Sequence, residues 1–339
     1  MEKCRICGIL DATRKFIRAS VRGEVTEIPV CSNCYQRYEP RTSKRGIEFK
    51  EARRISHTGY IFWSIESARA ARIIEKIGRT FIGRIVSSLS IVSIPLMLLS
   101  IAIVVSAIGD RLLRPNLYFK LATATPKGYL TTFIPGLDPA IPLIQGLIAI
   151  FIAVTVHEFA HGLASTYCFN TPPRRVGLAF LLVFPIAGYV KIDMDPYRSG
   201  SWRFIGAGTA VNIATAILAL ILFAMQGIPE LYIRYPQLLL LPPDYLRYLG
   251  VDINIGFIQS LLLYIWLINL WGAVFNTLPI PGFDGYWIYS SLLSRVVGQL
   301  IEEESGRRLG FRLSLYSGFI ILTAMAMILL IERVILPYL

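Results

Sequence analysis

A histidine–glutamate–histidine cluster inside an apolar stretch contains the residues of this sequence that are best suited to bind a metal and transfer a proton. The pentapeptide His157-Glu158-Phe159-Ala160-His161 holds two of the three histidines of the chain. Residues four apart share one face of a helix, so both imidazoles can bind a single zinc ion. Glu158 stands beside the first ligand and can take a proton from a water molecule that zinc activates. Because ionisable side chains are costly in an apolar helix, the cluster indicates a metal site rather than a structural feature.

A zinc site with two histidines and one water molecule needs one more protein ligand. Asp284 is the favoured candidate, because it follows the fourth predicted span and lies at the same membrane face as the histidines. Pro279 and Pro281 break the helix just before it and would aim the aspartate inward. Asp193 and Asp195, in a loop on that same side, are the alternatives.

Four of the five cysteines form two pairs near the N-terminus: Cys4 with Cys7, and Cys31 with Cys34. Two C-x2-C pairs make a tetrahedral site for a structural zinc, as in zinc ribbons, and the intervening segment has room for a β-hairpin. So short a module buries too small a core, and the metal would supply its folding energy. Disulfide pairing is the alternative, and it needs an oxidising compartment.

The composition excludes an ordinary soluble enzyme: 54% of residues are hydrophobic and 17% are charged, against about 25% charged in soluble domains. We predict an all-α polytopic membrane protein with five to six transmembrane helices and a small N-terminal zinc ribbon. A short membrane-embedded β-hairpin or re-entrant segment is expected near 176–195, where Pro185 and Gly188 interrupt the apolar run. Five segments approach or exceed the ~20 residues that a membrane-spanning helix needs, at roughly 85–108, 140–167, 204–225, 257–280 and 314–336.

Positive charge is concentrated at the N-terminal end, where residues 1–84 hold 18 of the 34 lysines and arginines. This bias predicts an N-terminus and an active-site opening in the cytoplasm of a multi-pass protein of the cell membrane. Residues 46–84 are basic with apolar residues interleaved, and we expect an amphipathic linker helix on the membrane surface. Membrane lipid is an expected partner, whereas nucleic acid is not.

The two main motifs together resemble those of the site-2 protease family of intramembrane zinc metalloproteases. The histidine motif lies in one span, and Asn276-x-x-Pro279-x-x-x-x-Asp284-Gly285 follows in a later span, as in that family. The resemblance covers roughly residues 145–290.

Two further stretches agree with this resemblance. Residues 185–191 are similar to the family's membrane-embedded β-hairpin, and residues 206–212 are similar to its Gly-Pro-x-x-Asn helix. Thr209 and Thr277 stand where the family often has proline, and Phe283 stands where leucine is common. None of these departures changes a candidate ligand.

The resemblance implies specific roles for the motif residues. His157, His161 and Asp284 would be the ligands of the catalytic zinc, and Glu158 would be the general base. Asn276 would be a catalytic polar group that holds the substrate carbonyl or its oxyanion.

The strand edge near 183–191 is a candidate substrate-binding edge, because a protease must hold an unwound segment extended; a plain re-entrant plug is the alternative. Gly188, Tyr189 and Val190 of the hairpin would bind an extended substrate as an added strand, and the resemblance implies that Asn212 would help to place it. For both asparagines, hydrogen bonding between helices is the alternative.

The predicted organisation has three regions: a cytoplasmic zinc-ribbon module over 1–45, a basic amphipathic helix over 46–84, and a transmembrane metalloprotease domain over 85–339 with its core at about 140–290. The expected activity is hydrolysis of a peptide bond within or near a transmembrane segment of a membrane-protein substrate. One catalytic and one structural zinc are the expected cofactors. A cytoplasmic protein is a candidate partner of the zinc-ribbon module. A catalytically silent membrane scaffold of the same fold and a metal transporter are the alternative functions.

Overall fold

The computed structural model of the protein describes most of the helical part of the chain and shorter pieces of the N-terminal part. Strands occur within the first 67 residues and again between 175 and 191. The described residues are 14–19, 25–31, 38–43, 46–51, 53–57, 62–117, 135–136, 141–181, 184–193, 200–248, 250–251, 253–300 and 303–330.

Helices dominate the described part of the chain, and five apolar helical stretches are long enough to cross a membrane: Phe81–Leu113, Leu143–Phe169, Trp202–Met225, Phe257–Asn276 and Arg308–Ile328. They confirm the predicted polytopic helical architecture. Short 3-10 turns occur at Ser90–Val92 and Pro236–Leu240. The helices are α1 (Ala68–Gly78), α2 (Phe81–Leu89), α3 (Ser93–Leu113), α4 (Leu143–Phe169), α5 (Trp202–Met225), α6 (Glu230–Arg234), α7 (Pro243–Tyr248), α8 (Phe257–Asn276), α9 (Asp284–Leu300) and α10 (Glu303–Leu330).

Helices α4, α5 and α8 pack against one another and form the centre of the helical part. Small side chains such as Ala149, Ala219 and Ala273 are fully buried there. Small residues let helix backbones approach closely, which favours helix association in a membrane. Helix α1 packs on α4 through Ile74, and a Cβ added at Gly162 would lie 2.6 Å from the Ile74 side chain. The N-terminal helices are therefore part of the same packed unit as the central ones.

Helix α4 has defined ends that set the position of its last two turns. It begins after Pro142 and ends before Asn170, which adopts the left-handed conformation with φ of 51°. Asparagine tolerates this conformation better than most residues. The guanidinium of Arg79, just after α1, donates to Asn170 Oδ1 at 3.0 Å. This contact ties the end of α4 to the N-terminal helices.

Two antiparallel hairpins occupy the N-terminal part of the described chain. Strand β1 (Arg14–Ala19) pairs with β2 (Val25–Val30), and β3 (Tyr38–Ser43) pairs with β4 (Gly46–Glu51). The first hairpin lies between the two cysteine pairs, where the sequence left room for one, and Cys31 is buried at its end. The other three cysteines of the predicted zinc ribbon lie outside the described residues, so the ribbon stays a prediction: Cys4, Cys7 and Cys34.

A four-stranded antiparallel sheet lies beside α4, with the strand order β5-β6-β7-β8. Its last two strands, β7 (Arg175–Leu181) and β8 (Phe184–Lys191), form the hairpin that the sequence predicts near 176–195. Its first two strands, β5 (Arg53–His57) and β6 (Phe62–Ser67), come from the N-terminal part of the chain. Within the described residues, β8 has a strand neighbour on one side only, so its other edge is available for pairing.

The prediction of one helix over 46–84 is wrong for its first part. Residues 46–67 contain three strands, and helix begins only at Ala68, where Ser67 caps it by accepting a hydrogen bond from the Ala70 amide at 3.1 Å. Strand β6 is stabilised by pairing with β7, which lies more than a hundred residues later in the chain. Periodicity within a window of sequence cannot detect such a partner. From Ala68 onward the chain is helical, but as two helices, α1 and α2, which Arg79 and Thr80 separate.

Candidate active site

Three atoms that can bind a metal meet between α4 and the start of α9. His157 and His161 lie one turn apart on α4, and their Nε2 atoms are 3.1 Å apart. Asp284, the first residue of α9, places Oδ2 3.2 Å from Nε2 of His157 and 3.3 Å from Nε2 of His161. The structure thus brings together the three residues that the sequence singles out as candidate ligands, and it buries most of each side chain.

This triangle of atoms fits zinc in size and in chemistry. A tetrahedral zinc with bonds of about 2.0–2.1 Å holds neighbouring ligand atoms ~3.3 Å apart, close to the observed sides of 3.1, 3.2 and 3.3 Å. Two imidazole nitrogens and one carboxylate are a donor set of known catalytic zinc sites, and they leave one position open. A carboxylate oxygen of Glu158 lies within 4.8 Å of both histidine nitrogens. These residues could therefore hold a zinc ion with a carboxylate beside it.

A backbone carbonyl on α5 orients the ring of His161. Its Nδ1 lies 2.7 Å from the carbonyl oxygen of Phe204. Since a carbonyl oxygen can only accept, Nδ1 carries the proton and the lone pair of Nε2 points to the triangle. Partners of this kind fix the tautomer and the orientation of metal-binding histidines.

A glycine on α5 makes room for the ring of His157. A Cβ added at Gly208 would lie 2.5 to 2.7 Å from three atoms of that ring. No side chain fits in this space without moving the imidazole. The close approach of α5 to α4 therefore determines where His157 can stand.

The turn between α8 and α9 places Asp284. Asn276, the last residue of α8, donates from Nδ2 to Asp284 Oδ2 at 3.0 Å, and the same nitrogen lies 2.9 Å from Nε2 of His157. Gly285 packs directly on the preceding chain, because a Cβ there would lie 2.0 Å from the carbonyl oxygen of Thr277. The helix break that the sequence predicts before Asp284 is therefore a compact turn, and it directs the aspartate toward α4.

Strand β8 lies against the helix face that carries Glu158. A Cβ added at Gly188 would lie 2.3 Å from Cγ of Glu158 and 2.8 Å from Cγ1 of Val154. Glycine allows this approach, as at other sites where a backbone comes close to a functional group. The carboxylate thus lies between the metal-ligand triangle and the strand edge.

Two cavities meet at Glu158 and Gly188. A cavity of about 480 Å³ extends toward Trp287 on α9 and is lined by Tyr189 and Val190, among others. A second cavity of about 360 Å³ extends along α8. Because both share the carboxylate and the glycine, an extended chain along β8 would have side-chain space on either side of Glu158.

Asn212 lies in the wall of the second cavity, together with His157 and Asn276. Its side chain is 4% exposed. Its Oδ1 accepts no hydrogen bond from any residue that the structure describes. A buried amide oxygen without a partner is costly, and a ligand in the cavity could satisfy it.

The other candidates named from the sequence lie elsewhere or are not described. Asp193 forms an ion pair with Arg174 rather than joining the triangle. Asp195 lies outside the described residues.

Sequence reasoning missed the residues that position the ligands. The carbonyl of Phe204 leaves no trace in a motif, because any residue has one. Gly208 lies within the stretch 206–212 that resembles a family motif, four residues before Asn212. That position could have suggested that α5 approaches another helix closely at this glycine. Glu66 and its contacts with β8, described below, have no local signal.

Comparison with known proteins agrees with this geometry. Residues 145–322 match the model of Peptidase family M50, and that range contains the complete triangle, Glu158, Asn212 and Asn276. An uncharacterized protein of Methanocaldococcus jannaschii is 28% identical over 177 residues, which is 52% of this chain and 45% of that protein. The matched part therefore spans less than half the length of that relative. No solved structure matches the chain. The family match covers more than half of the chain, which therefore belongs to peptidase family M50, the site-2 protease family of zinc-dependent membrane metalloproteases.

Proposed function

We propose that this protein is an intramembrane zinc metalloprotease that hydrolyses a peptide bond within or near a transmembrane segment of a membrane-protein substrate. The observation that carries the proposal is the triangle formed by His157, His161 and Asp284, with Glu158 beside it. A zinc ion held by these residues would acidify a water molecule and polarise the scissile carbonyl. The remaining steps belong to side chains of this protein.

Glu158 is the proposed general base and acid. Its carboxylate is half-buried and faces both the triangle and β8. It takes the proton of the attacking water and returns it to the nitrogen of the leaving amine. The position of Glu158 between the ligands and the strand edge lets one carboxylate serve both transfers.

The two asparagines have complementary roles in this proposal. If His157 bound a metal through Nε2, that lone pair would no longer accept from Asn276, and an N–H of the Asn276 amide would be left to donate to the substrate carbonyl oxygen while Asp284 continued to orient the amide. The unsatisfied Oδ1 of Asn212 accepts from a substrate amide in the second cavity.

The free edge of β8 supports an extended substrate. A peptide bond within a transmembrane helix is shielded, because its polar groups are engaged in helical hydrogen bonds. Strand addition replaces those hydrogen bonds with bonds to the edge of a sheet. The backbone around Gly188, Tyr189 and Val190 would hold the unwound segment, and the two cavities would take its side chains. The preferred substrate segments are therefore apolar and easily unwound.

The sheet also supports the proposed orientation. Strand β6 from the N-terminal part pairs with β7, which follows the end of α4. Strands β5 and β6 and the end of α4 nearest the metal-ligand triangle therefore lie on one side of the helical bundle. The excess of basic residues in the N-terminal part favours the cytoplasm for that side.

A matched set of variants in liposomes tests this proposal. The probes are tagged single-span polypeptides with glycine, asparagine or proline near the middle of the span. We expect the wild type to cleave probes of this set, and Glu158→Gln to keep its zinc while cleavage falls by at least 10²-fold. Glu230→Gln is the matched control, because this carboxylate is 81% exposed and pairs with Arg234 four residues away on the same helix. Zinc per chain and fragment masses are the measurements.

The outcomes separate the protease from its alternatives. Equal zinc content in the wild type and in His157→Ala would show that the triangle binds no metal. Full cleavage by Glu158→Gln would remove the assigned role of that residue. A zinc-loaded wild type that cleaves none of the probes would favour the silent scaffold, and zinc flux into sealed liposomes would favour the transporter.

A further inference from the structure

A buried carboxylate outside the metal site engages the candidate substrate strand. Glu66 on β6 is 5% exposed. Its Oε1 accepts a hydrogen bond from the hydroxyl of Tyr189 at 2.9 Å and another from the ammonium of Lys191. Both donors belong to β8, two strands away. Its Oε2 lies 3.7 Å from Nη1 of Arg175 on β7. One carboxylate thus links three strands of the sheet.

The register of the sheet explains how Glu66 reaches β8. Glu66 pairs with Gly177, and Gly177 pairs with Tyr189, so the three residues form one row across the sheet. The ring of Tyr189 lies over the glycine, because a Cβ there would be 2.3 Å from the ring carbon Cζ. Lys191 lies two residues further along β8, on the same face as Tyr189. Because glycine has no side chain, nothing at Gly177 blocks the hydrogen bond between Tyr189 and Glu66.

The opposite face of β8 lies on the candidate catalytic base. Neighbouring residues of a strand point to opposite faces. Gly188 therefore faces α4, where it packs on Glu158, while Tyr189 points to Glu66. A force that holds Tyr189 also holds Gly188, since they share a peptide bond. The distance between the strand edge and Glu158 thus depends on a contact on the far face of the sheet.

The charges around Glu66 make this link strong. Glu66 is the acceptor for two donors on β8, and Arg175 is 4% exposed beside it. Hydrogen bonds to a charged group are stronger than those between neutral groups. Removal of the carboxylate would leave the buried guanidinium of Arg175 without this partner, which is destabilising. Lys191 would lose its acceptor too, but its side chain is half-exposed and water can replace that contact.

We propose that Glu66 is a positioning residue of the protease site, which holds the edge strand β8 at its working distance from Glu158 through Tyr189 and Lys191. The inference rests on the proposed function, because β8 is there the strand that binds substrate. It makes the N-terminal strand β6 part of the substrate site, although β6 lies outside the range of the family match. A partner or ligand that moved β6 would therefore change how the enzyme binds its substrate.

Kinetic constants distinguish positioning from a loss of folded protein. The protein is the full chain in liposomes with the same single-span probe. We expect Glu66→Gln to raise KM about tenfold and to change kcat less than about threefold, because β8 docks the substrate while the metal site stays intact. Tyr189→Phe removes the contacts of the hydroxyl with Glu66 and Ser64 but no charge, and we expect a smaller increase in KM, about threefold. Loss of folded protein would lower kcat and leave KM unchanged.

Two further measurements do not depend on cleavage. Hydrogen–deuterium exchange of the backbone amides at 187–191 is expected to rise in Glu66→Gln, whereas zinc per chain stays the same. In the double variant Glu66→Gln/Tyr189→Phe, exchange is expected to rise by less than the sum of the two single increases, because both changes disrupt the contact between Glu66 and Tyr189. Glu75→Gln is the matched control on α1, where the carboxylate pairs with Arg79 four residues away.

Each result decides the proposal. Unchanged KM together with unchanged exchange in both single variants would overturn it. If the zinc content of Glu66→Gln fell in proportion to its folded fraction, the proposal would also be overturned. Glu66 would then stabilise the whole fold rather than position β8. If the wild type cleaves no probe, the proposed function fails, and the exchange at 187–191 alone decides whether Glu66 holds β8.

Discussion

On the helical side of the candidate active site, side chains are held by close packing, whereas on the sheet side strand β8 lies on α4, pairs with β7 and is linked to the carboxylate of Glu66. The ring of His157 fills the space above Gly208, and a backbone carbonyl orients His161. Strand β8 pairs only with β7 among the described residues, and it is anchored further by Glu66.

The helical side and the sheet side therefore differ in how much movement they can tolerate. A metal site needs ligands held within fractions of an ångström, and packed helices supply that rigidity. A substrate that must unwind and enter needs an edge that can accept it, and a strand at the border of a sheet has this freedom. Changes on the helical side should therefore remove the metal, whereas changes on the sheet side should weaken substrate binding and leave the metal in place.

The largest effect is expected from removing a ligand on the helical side. Asp284→Ala should lose the intramembrane zinc and all measurable cleavage, because two histidines alone hold zinc weakly. Asp110→Asn is the matched control, since this carboxylate lies on α3 and pairs with Arg114. Zinc per chain and cleavage of a single-span probe check the prediction. An Asp284→Ala variant with full zinc content would show that another group completes the site.

A smaller effect is expected from disturbing the packing behind a ligand. Gly208→Ala places a methyl group inside the space of the His157 ring, and we expect zinc affinity to fall about 10–100-fold. Gly109→Ala on α3 is the control, because among the described residues no atom outside its own stretch of helix backbone lies within 4 Å of the added Cβ. Competition with a zinc chelator measures the affinity. Equal affinity in Gly208→Ala and the wild type would mean that α5 yields easily at this point.

The corresponding change on the sheet side should separate substrate binding from metal binding. Gly188→Ala brings a Cβ to 2.3 Å from Cγ of Glu158, so the distance between β8 and the Glu158 side chain must increase. We expect kcat/KM to fall about tenfold while the zinc content stays at the wild-type level. If Gly188→Ala lost zinc as Gly208→Ala does, the distinction between the two sides would be wrong.

The smallest effect is a pH dependence on the sheet side. Burial would raise the pKa of Glu66, but hydrogen bonds from Lys191 and Tyr189 and the charge of Arg175 lower it below its ordinary value of 4.5. A lowered pKa in the folded state means that Glu66 stabilises the protein above the pKa of the unfolded chain. That stability is lost as the pH falls below 4.5 toward the pKa of the folded state.

Thermal unfolding at two pH values checks this prediction. The decrease in Tm between about pH 7 and about pH 4 should be smaller in Glu66→Gln than in the wild type, since glutamine does not titrate. The exposed variant Glu230→Gln should keep the full decrease. Parallel decreases in all three proteins would show that other carboxylates dominate the acid response.

Much of the helical side was predictable because its signals are local. The spacing of His157 and His161 is one helical turn, and the long apolar runs mark the spans directly. Asp284 was predictable from topology, because it follows directly on the end of the fourth predicted span, at the same membrane face as the histidines. The roles assigned to these residues stay predictions until zinc and cleavage are measured.

The sheet side was predictable only in part. Pro185 and Gly188 indicated an irregular segment near 176–195, and the hairpin is there. The two strands that enlarge it to a four-stranded sheet fall where a helix was expected, because their pairing partner is distant in the sequence. The predicted zinc ribbon remains untested, since three of its four cysteines lie outside the described residues.

The sequence by itself identified the candidate metal-binding and acid–base groups and the long apolar stretches that form helices, because helical spacing and hydrophobic length act over short stretches of chain. Only the tertiary structure decided that Phe204 orients one histidine, that Gly208 makes room for the other, and that Glu66 reaches across a glycine to hold β8. These contacts join residues far apart in the chain. Their geometry follows from how helices and strands pack, which no local pattern records.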